Sequence, residues 1–344
     1  MRRFTIRERA AASLNIFPTA VYDTFPAVLF GRVLAIACTG GIFGALSGGP
    51  RTARAIANDC SFDAAGMELL LPLLSSGGYL TRTTKGYALT RQSRKWLLPS
   101  SPHYIGNFIA YIALLHDRWS TLGDTLRSGT PRHPYTKSFG PSEWRIYVSG
   151  MMDLAHLTLP HLRAKLILPR GATTLLDVCG SHGLYAIELC KRHEGLKVTI
   201  ADLPEVLHIT KEIVAAEGVR DRVTLLPIDV TSSALPQGAY DTVLAFNIIH
   251  GFDSRTNERF VHSISSSLRK GGIVYFLDQL KKKHNRGFRS VLPLAVGLNL
   301  MNEIGGSVYS VEELRLWCVS AGLSSFRHRE LLLPGVDLAS AVKS

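Results

Sequence analysis

The sequence predicts an α/β protein whose C-terminal half is a mostly parallel sheet covered by helices on both faces, preceded by a mainly helical region. From about Leu175, short apolar runs (Thr174–Val178, Val198–Ala201, Val223–Leu226, Thr242–Phe246 and Ile273–Leu277) alternate with helix-compatible stretches. Near-continuous apolar strands of this kind belong to sheets buried on both sides. Residues 1–165 lack that alternation and show helical patterns broken by Gly/Ser/Pro clusters at 47–50, 75–78 and 128–134. The chain has 344 residues, 46% hydrophobic and 19% charged, enough for a sizeable core and for more than one domain. The expected division is 1–165, helical, and 166–344, sheet-bearing.

In the first part, Asp63 is placed to cap a helix through Leu74 that turns Met67, Leu70, Leu71 and Leu74 to one side. Gly77-Gly78 ends it, and Tyr79–Thr81 with Tyr87–Leu89 form a hairpin around Lys85-Gly86. Helix, helix and hairpin are the parts of a winged helix, a frequent DNA reader, and the formal charge of +12 agrees with that use. The helix that would enter a groove disagrees: apart from Glu68 it is mostly apolar, whereas base and phosphate contacts need polar and basic side chains. A structural, dimer-forming module without a nucleic-acid partner is therefore expected. The basic runs Arg2, Arg3, Arg7, Arg9 and Lys281-Lys282-Lys283 are read as solvated faces.

The apolar stretch Val28–Leu46 is interrupted by Arg32 and Gly40-Gly41, which favours a buried helix and a turn over a membrane span. Cys38, Cys60, Cys179, Cys190 and Cys318 form neither a close pair nor a zinc spacing, so a reducing cytosol and no metal are expected. Trp144–Ile167 is the expected helix joining the two parts. Ser310 with Glu313 makes a capping box for a helix through Ser320, stopped by Gly322, and a last strand is placed at Phe326–Leu333.

After the first strand comes Asp177-Val-Cys-Gly-Ser-His-Gly183, which leads directly into a helix. Gly180 and Gly183 let the backbone approach a ligand, and the helix start presents unpaired N–H groups. The next strand ends at Asp202, placed to accept from ribose hydroxyls, and Asp229 follows the third. Two cofactors use this geometry. A dinucleotide wants G-x-G-x-x-G and tolerates an acid near its phosphates poorly. S-adenosylmethionine brings a cationic methionyl end, which Asp177 suits.

At these residues the chain resembles the small-molecule O-methyltransferases of plant caffeate and bacterial polyketide type. The likeness runs from about residue 20 to 335. It is carried by Ala201-Asp202-Leu203-Pro204-Glu205-Val206, by Asn247-Ile-Ile-His250-Gly-Phe252-Asp253, and by Leu268-Arg-Lys-Gly271-Gly272. It implies a Rossmann-like methyltransferase domain behind a winged-helix-like dimerisation domain, a homodimer, S-adenosylmethionine as cofactor and a small aromatic substrate. Asp177, Gly180, Gly183, Asp202, Leu203, Asp229, Val230 and Phe246 are the expected cofactor residues. His250 is the expected general base, just past the fourth strand and of a residue type that titrates near working pH. Asp278, ending the fifth strand, is expected to orient it.

Three departures stand out. Cys179 and His182 replace small residues of the glycine loop, and Gly251-Phe252 replaces Asp-Trp after the base. Where the family has Gly-Gly-x-Glu-Arg-Thr, this chain has Gly305-Gly306-Ser307-Val308-Tyr309-Ser310, without the second acid and the arginine. Trp144, Tyr147, Met151 and Met152 on the joining helix are candidates for the substrate wall, though the same stripe suits core packing. Leu292, Asn299, Met301 and Asn302 complete the expected cavity. Methylation of a hydroxyl oxygen is the expected reaction. Carbon methylation on the same site, a non-methylating reaction of a diverged member, and DNA binding by the winged helix are the alternatives.

Overall fold

The computed structural model describes residues 5–14, 16, 18–281, 288–333 and 335–344. Most of the Arg2–Arg9 and Lys281–Lys283 clusters lies outside the described residues or their described side chains. The chain forms two compact units, Met1–His116 and Asp117–Ser344. This division comes well before the change of sequence pattern near residue 165, because helix Pro141–Leu162 packs on sheet-side helices of the second unit.

The first unit is helical, with one small hairpin. Asp63 caps helix Ala64–Ser76 by accepting from the Gly66 N–H at 2.9 Å, and Met67, Leu71 and Leu74 are buried as expected. Strands β1 (Leu80–Thr83) and β2 (Gly86–Leu89) pair antiparallel from Leu80↔Leu89 to Thr83↔Gly86. Arg51 adds a bridge to Tyr87, with N–H···O distances of 2.9 and 2.8 Å. Gly86 makes this approach feasible: its φ is +116°, and a Cβ there would fall 2.1 Å from the Arg51 carbonyl oxygen. Among the described residues one helical stretch, Thr19–Thr39, is long and apolar enough to cross a membrane, with 22% of its window buried. Its Val21, Phe25, Val28, Leu29 and Ile36 side chains are exposed.

The second unit is built on a seven-stranded sheet. Its strands are β3 (Thr174–Val178), β4 (Lys197–Asp202), β5 (Val223–Pro227), β6 (Tyr240–Phe246), β7 (Leu268–Asp278), β8 (Leu323–Glu330) and β9 (Asp337–Lys343), in the order β5-β4-β3-β6-β7-β9-β8. The first five are parallel, and β9 and β8 are antiparallel additions. Each face carries a core. Leu175, Ile200, Leu244 and Leu277 pack with helix Leu184–Arg192 on one side; Leu176, Val243 and Phe276 pack with Phe260, Ile264 and Leu314 on the other. Strand order reverses at β3, so a ligand crevice is expected at the carboxyl ends of β3, β4 and β6.

The expected elements are present with shifted limits. The joining helix is Pro141–Leu162, and the Ser310–Glu313 capping box opens helix Val311–Ser320. The last expected strand, Phe326–Leu333, lies at Leu323–Glu330, and β9 is an additional strand that inserts between it and β7. Replacing Gly86 by Ala should destabilise the first unit by more than about 1 kcal/mol, since both backbone conformation and space forbid the methyl. Urea unfolding of the two proteins measures this, and equal midpoints would refute it.

Candidate active site

The loop after β3 is held by backbone strain and buried acids. Cys179 (φ +54°) and Ser181 (φ +47°) adopt the left-handed conformation, as does Gly183 (φ +69°). For residues other than glycine this costs of order 1–3 kcal/mol each and persists where the surroundings enforce it. Here the surroundings are identifiable. Ser181 N–H donates to Asp202 Oδ2 at 2.8 Å, its carbonyl accepts from Thr210 Oγ1 at 2.5 Å, and Gly180 N–H donates to the Ala201 carbonyl at 3.3 Å. Gly180 cannot carry a side chain, because a Cβ would lie 2.6 Å from Asp177 Cγ.

Asp202 ends β4 buried, its second oxygen accepting from Leu203 N–H at 2.7 Å. Burial raises its pKa to about 6 against the pull of those two N–H groups. Asp177, beside it, is pushed up to about 8 by burial and then by the Asp202 charge. Its Oδ2 is buried without a hydrogen-bond partner. An orphaned carboxylate oxygen beside a second buried acid and a side-chain-free cradle is a receptor for a cation with hydrogen-bond donors. The methionyl ammonium and ribose hydroxyls of S-adenosylmethionine fit these residues.

His182, in the same loop, is buried. Its Nδ1 accepts from Leu184 N–H at 3.0 Å, capping the helix that follows. Burial, and then the charge of His156, lower its pKa to about 3, so it is a neutral structural cap with its proton on Nε2. Asp229 is exposed, and its Oδ1 accepts from Thr231 N–H (2.9 Å) and Oγ1 (2.7 Å) in a turn beyond β5. Val230 packs partly buried on the second core face, and Phe246 is buried edge-on to Tyr185 at 5.0 Å between ring centres.

At the carboxyl edge of β6 and β7, His250 Nδ1 and Asp278 Oδ1 are 2.5 Å apart. Asp278 Oδ1 also accepts from Gln279 N–H at 2.7 Å, while its Oδ2 is buried without a partner. A carboxylate on Nδ1 fixes that nitrogen as the donor and leaves the lone pair on Nε2. His250 is otherwise held by its backbone: its carbonyl accepts from Ser307 N–H at 2.9 Å. Gly306 must be glycine for this, since a Cβ would fall 2.2 Å from that carbonyl oxygen. Asn257 Nδ2 donates to the Ile249 carbonyl at 2.8 Å, and Tyr309 Oη to the Phe252 carbonyl at 2.7 Å, which ties the turn from both sides.

The expected substrate residues divide. Trp144 is a core side chain, buried with Val148, Val206 and Ile209, and its ring meets Tyr135, Phe139 and Tyr147 edge-on. Asn302 is likewise corrected. It is buried, its Oδ1 accepts from Thr125 Oγ1 at 3.0 Å, and its Nδ2 donates to Glu303 Oε1 at 3.0 Å, so its hydrogen bonds are committed to the fold. Asn299 Oδ1 accepts from Trp119 Nε1 at 2.6 Å. Leu292, at 3.3 Å from the Cβ position of Gly335, faces the loop before β9. Tyr147, Met151, Met152 and Met301 are partly buried.

Three residues escaped the sequence reading: Tyr135, Arg118 and Glu303. Tyr135 is partly buried in the aromatic cluster. Its phenol pKa is raised by burial first, with a hydrogen bond from Tyr147 opposing and the charges of Asp202, Cys179 and Glu303 adding. The only signal for the other two was an acid inside the apolar helix Phe288–Ile304, which demands a cationic partner.

Family comparison agrees with this geometry. Residues 119–324 match the O-methyltransferase domain, and residues 22–99 match the O-methyltransferase dimerisation domain. The chain belongs to the O-methyltransferase family. It is 26% identical over 329 residues to 3-hydroxy-5-methyl-1-naphthoate 3-O-methyltransferase of Streptomyces sahachiroi, covering 93% of each chain. It is 25% identical over 304 residues to the tetracenomycin polyketide synthesis 8-O-methyl transferase of Streptomyces glaucescens, covering 86% of this chain and 88% of that one. Its fold matches the crystal structure of human N-acetylserotonin methyltransferase in complex with S-adenosylmethionine with a TM-score of 0.84 at 22% identity, covering 94% and 97% of the two chains. The protein is an S-adenosylmethionine-dependent methyltransferase.

Two buried acids with raised pKa values predict a cofactor site whose occupation is coupled to protons. At pH 7 Asp177 is mostly protonated in the free enzyme, and a cationic ligand favours its ionised form. Binding at pH 7 should therefore release part of a proton, and affinity should rise between pH 6 and 8. Titration calorimetry in buffers of different ionisation heat reads the release directly; identical heats would refute it. The same shifts bind more protons in the folded than in the unfolded protein between about pH 4 and 8, so these two acids lower cofactor-free stability as pH rises through that window.

Proposed function

We propose that this enzyme methylates a hydroxyl oxygen of a small aromatic or heteroaromatic secondary metabolite, with His250 as general base and Asp278 as the group that orients it. The observation that carries this reading is the His250–Asp278 couple, 2.5 Å apart at the carboxyl edge of the sheet. Relatives that act on hydroxynaphthoate and tetracenomycin-type substrates support the aromatic class.

In this reading Asp202 holds the ribose hydroxyls and Asp177 the ammonium. Gly180 and Gly183 give the backbone access, and Leu203, Asp229, Val230 and Phe246 surround the nucleoside. When bound, S-adenosylmethionine supplies an electrophilic methyl group on a sulfonium. The work of the chain's own residues is to position and to move one proton. His250 Nε2, its lone pair freed by the Asp278 contact, takes the proton of the substrate hydroxyl, so that the oxygen is an alkoxide-like nucleophile when aligned. Alignment itself can supply roughly 7–11 kcal/mol in favourable cases. Tyr147, Met151, Met152 and Met301 offer aromatic and thioether surface for a flat ring.

The enzyme works as a homodimer in this reading, with residues 1–165 as dimerisation and lid region and 166–344 as cofactor-binding region. The match of residues 22–99 to a dimerisation domain and the exposed Val21, Phe25, Val28, Leu29 and Ile36 support that assignment. The location in this reading is the cytosol.

The test is turnover of a panel of hydroxynaphthoates and other phenols, followed by release of S-adenosylhomocysteine. His250→Ala should lower kcat by roughly 10²–10⁴ while leaving cofactor affinity unchanged. Asp278→Asn should lower kcat by a smaller factor and shift the pH profile. Full activity in His250→Ala would remove it from the mechanism, and a methylated carbon in the product would replace oxygen methylation by the carbon reaction.

A further inference from the structure

Beyond the His250–Asp278 couple, the sheet-bearing unit holds an ion pair with a buried acid. Glu303 is fully buried and ion-pairs with Arg118 Nε. Arg118 does more than neutralise it. Its guanidinium also donates to the His133 carbonyl and to Ser138 Oγ (3.3 Å), and lies over the Phe139 ring at 5.2 Å from its centre. One side chain thereby fastens both ends of the short helix Tyr135–Ser138.

Glu303 faces two ways as well. The next residue, Ile304, packs against Gly251, with its Cδ1 3.3 Å from the Cβ position there, and Gly306 and Ser307 clasp the His250 carbonyl. The acid of the pair is therefore four residues upstream of the main-chain group that holds the base. On the other side, the Tyr135 hydroxyl lies within electrostatic reach of both Glu303 and Asp202. A buried ion pair is seldom more stabilising than an apolar pair of the same size, so its presence calls for another benefit.

We propose that Arg118–Glu303 is the positioning pair of this active site. It holds the Tyr135 segment beside Asp202 and the Phe288–Ile304 helix against the His250 turn, the work of the acid and arginine that this chain lacks at 308 and 309. The proposal rests on the methyltransferase reading of the site. Neither residue is catalytic: both act through what they hold.

The test compares Arg118→Lys, Glu303→Gln and the apolar double variant Arg118→Met/Glu303→Leu with the wild type. Thermal unfolding, titration calorimetry with S-adenosylmethionine and S-adenosylhomocysteine, steady-state kinetics and hydrogen exchange over residues 129–140 are measured for each. The double variant should unfold at or above the wild-type temperature yet bind S-adenosylmethionine at least tenfold more weakly and lose ligand-induced protection of 129–140. Arg118→Lys, which keeps the charge and loses the fork, should raise KM for the cofactor more than it lowers kcat. Wild-type affinity and protection in a folded double variant would reduce the pair to core filling and overturn the proposal. If the double variant does not fold, Arg118→Lys decides by the same criteria. If the wild type binds neither ligand, the cofactor reading fails; faster ligand-free exchange over 129–140 in Arg118→Lys still separates a clamp from none.

Discussion

Three carboxylates buried at the carboxyl edge of one parallel sheet, Asp177, Asp202 and Asp278, set the terms for the rest of the second unit. Asp202 and Asp278 end their strands and Asp177 is the last residue but one of its own, all three where burial opposes a charge. Asp202 is compensated by two backbone N–H groups, and this is why the glycine loop must fold tightly enough to deliver the Ser181 N–H. Asp278 is compensated by the His250 ring and the Gln279 N–H, which brings a histidine to the carboxyl edge of the sheet. Asp177 is compensated least. Burial and the neighbouring Asp202 charge push its pKa up to about 8.

The strained loop follows from the same constraint. Cys179 and Ser181 are left-handed because the chain must turn between the end of β3 and a helix start while pointing its N–H groups at Asp202 and Ala201. His182 finishes the turn by capping the helix with its ring. What looks in the sequence like a departure at the cofactor loop is therefore a local structural solution, with the imidazole kept neutral and away from proton chemistry.

The parts of the fold legible in the sequence are those with strong local signals. Strand runs flanked by glycine loops, the Asp63 cap and the Ser310–Glu313 box are all contacts within a few residues, and each is in place. The strand ends carry the acids for a physical reason, and His250 and Asp278 were found through that logic together with the family pattern. What escaped is long-range. β9 is a short run whose role as the strand between β7 and β8 depends on pairing with Ile273–Asp278, far upstream in the sequence. Trp144 could be wall or core on periodicity alone; only the packing of Val206 and Ile209 decides it. Arg118 and Glu303 are separated by 185 positions, and no spacing rule joins them.

His250, finally, is positioned mainly through its backbone. Val308 and Tyr309 stand where the family has an acid and an arginine, yet both are buried and useful: Val308 packs against Gly297, and Tyr309 hydrogen-bonds the Phe252 carbonyl while stacking edge-on with Trp317. Together with Ser307, Gly306 and Asn257 they fix the main chain on both sides of His250, leaving Asp278 to set the tautomer. Backbone anchoring by neutral groups does not titrate. Exchange of the acid at this position for apolar packing therefore leaves the His250–Asp278 contact in place.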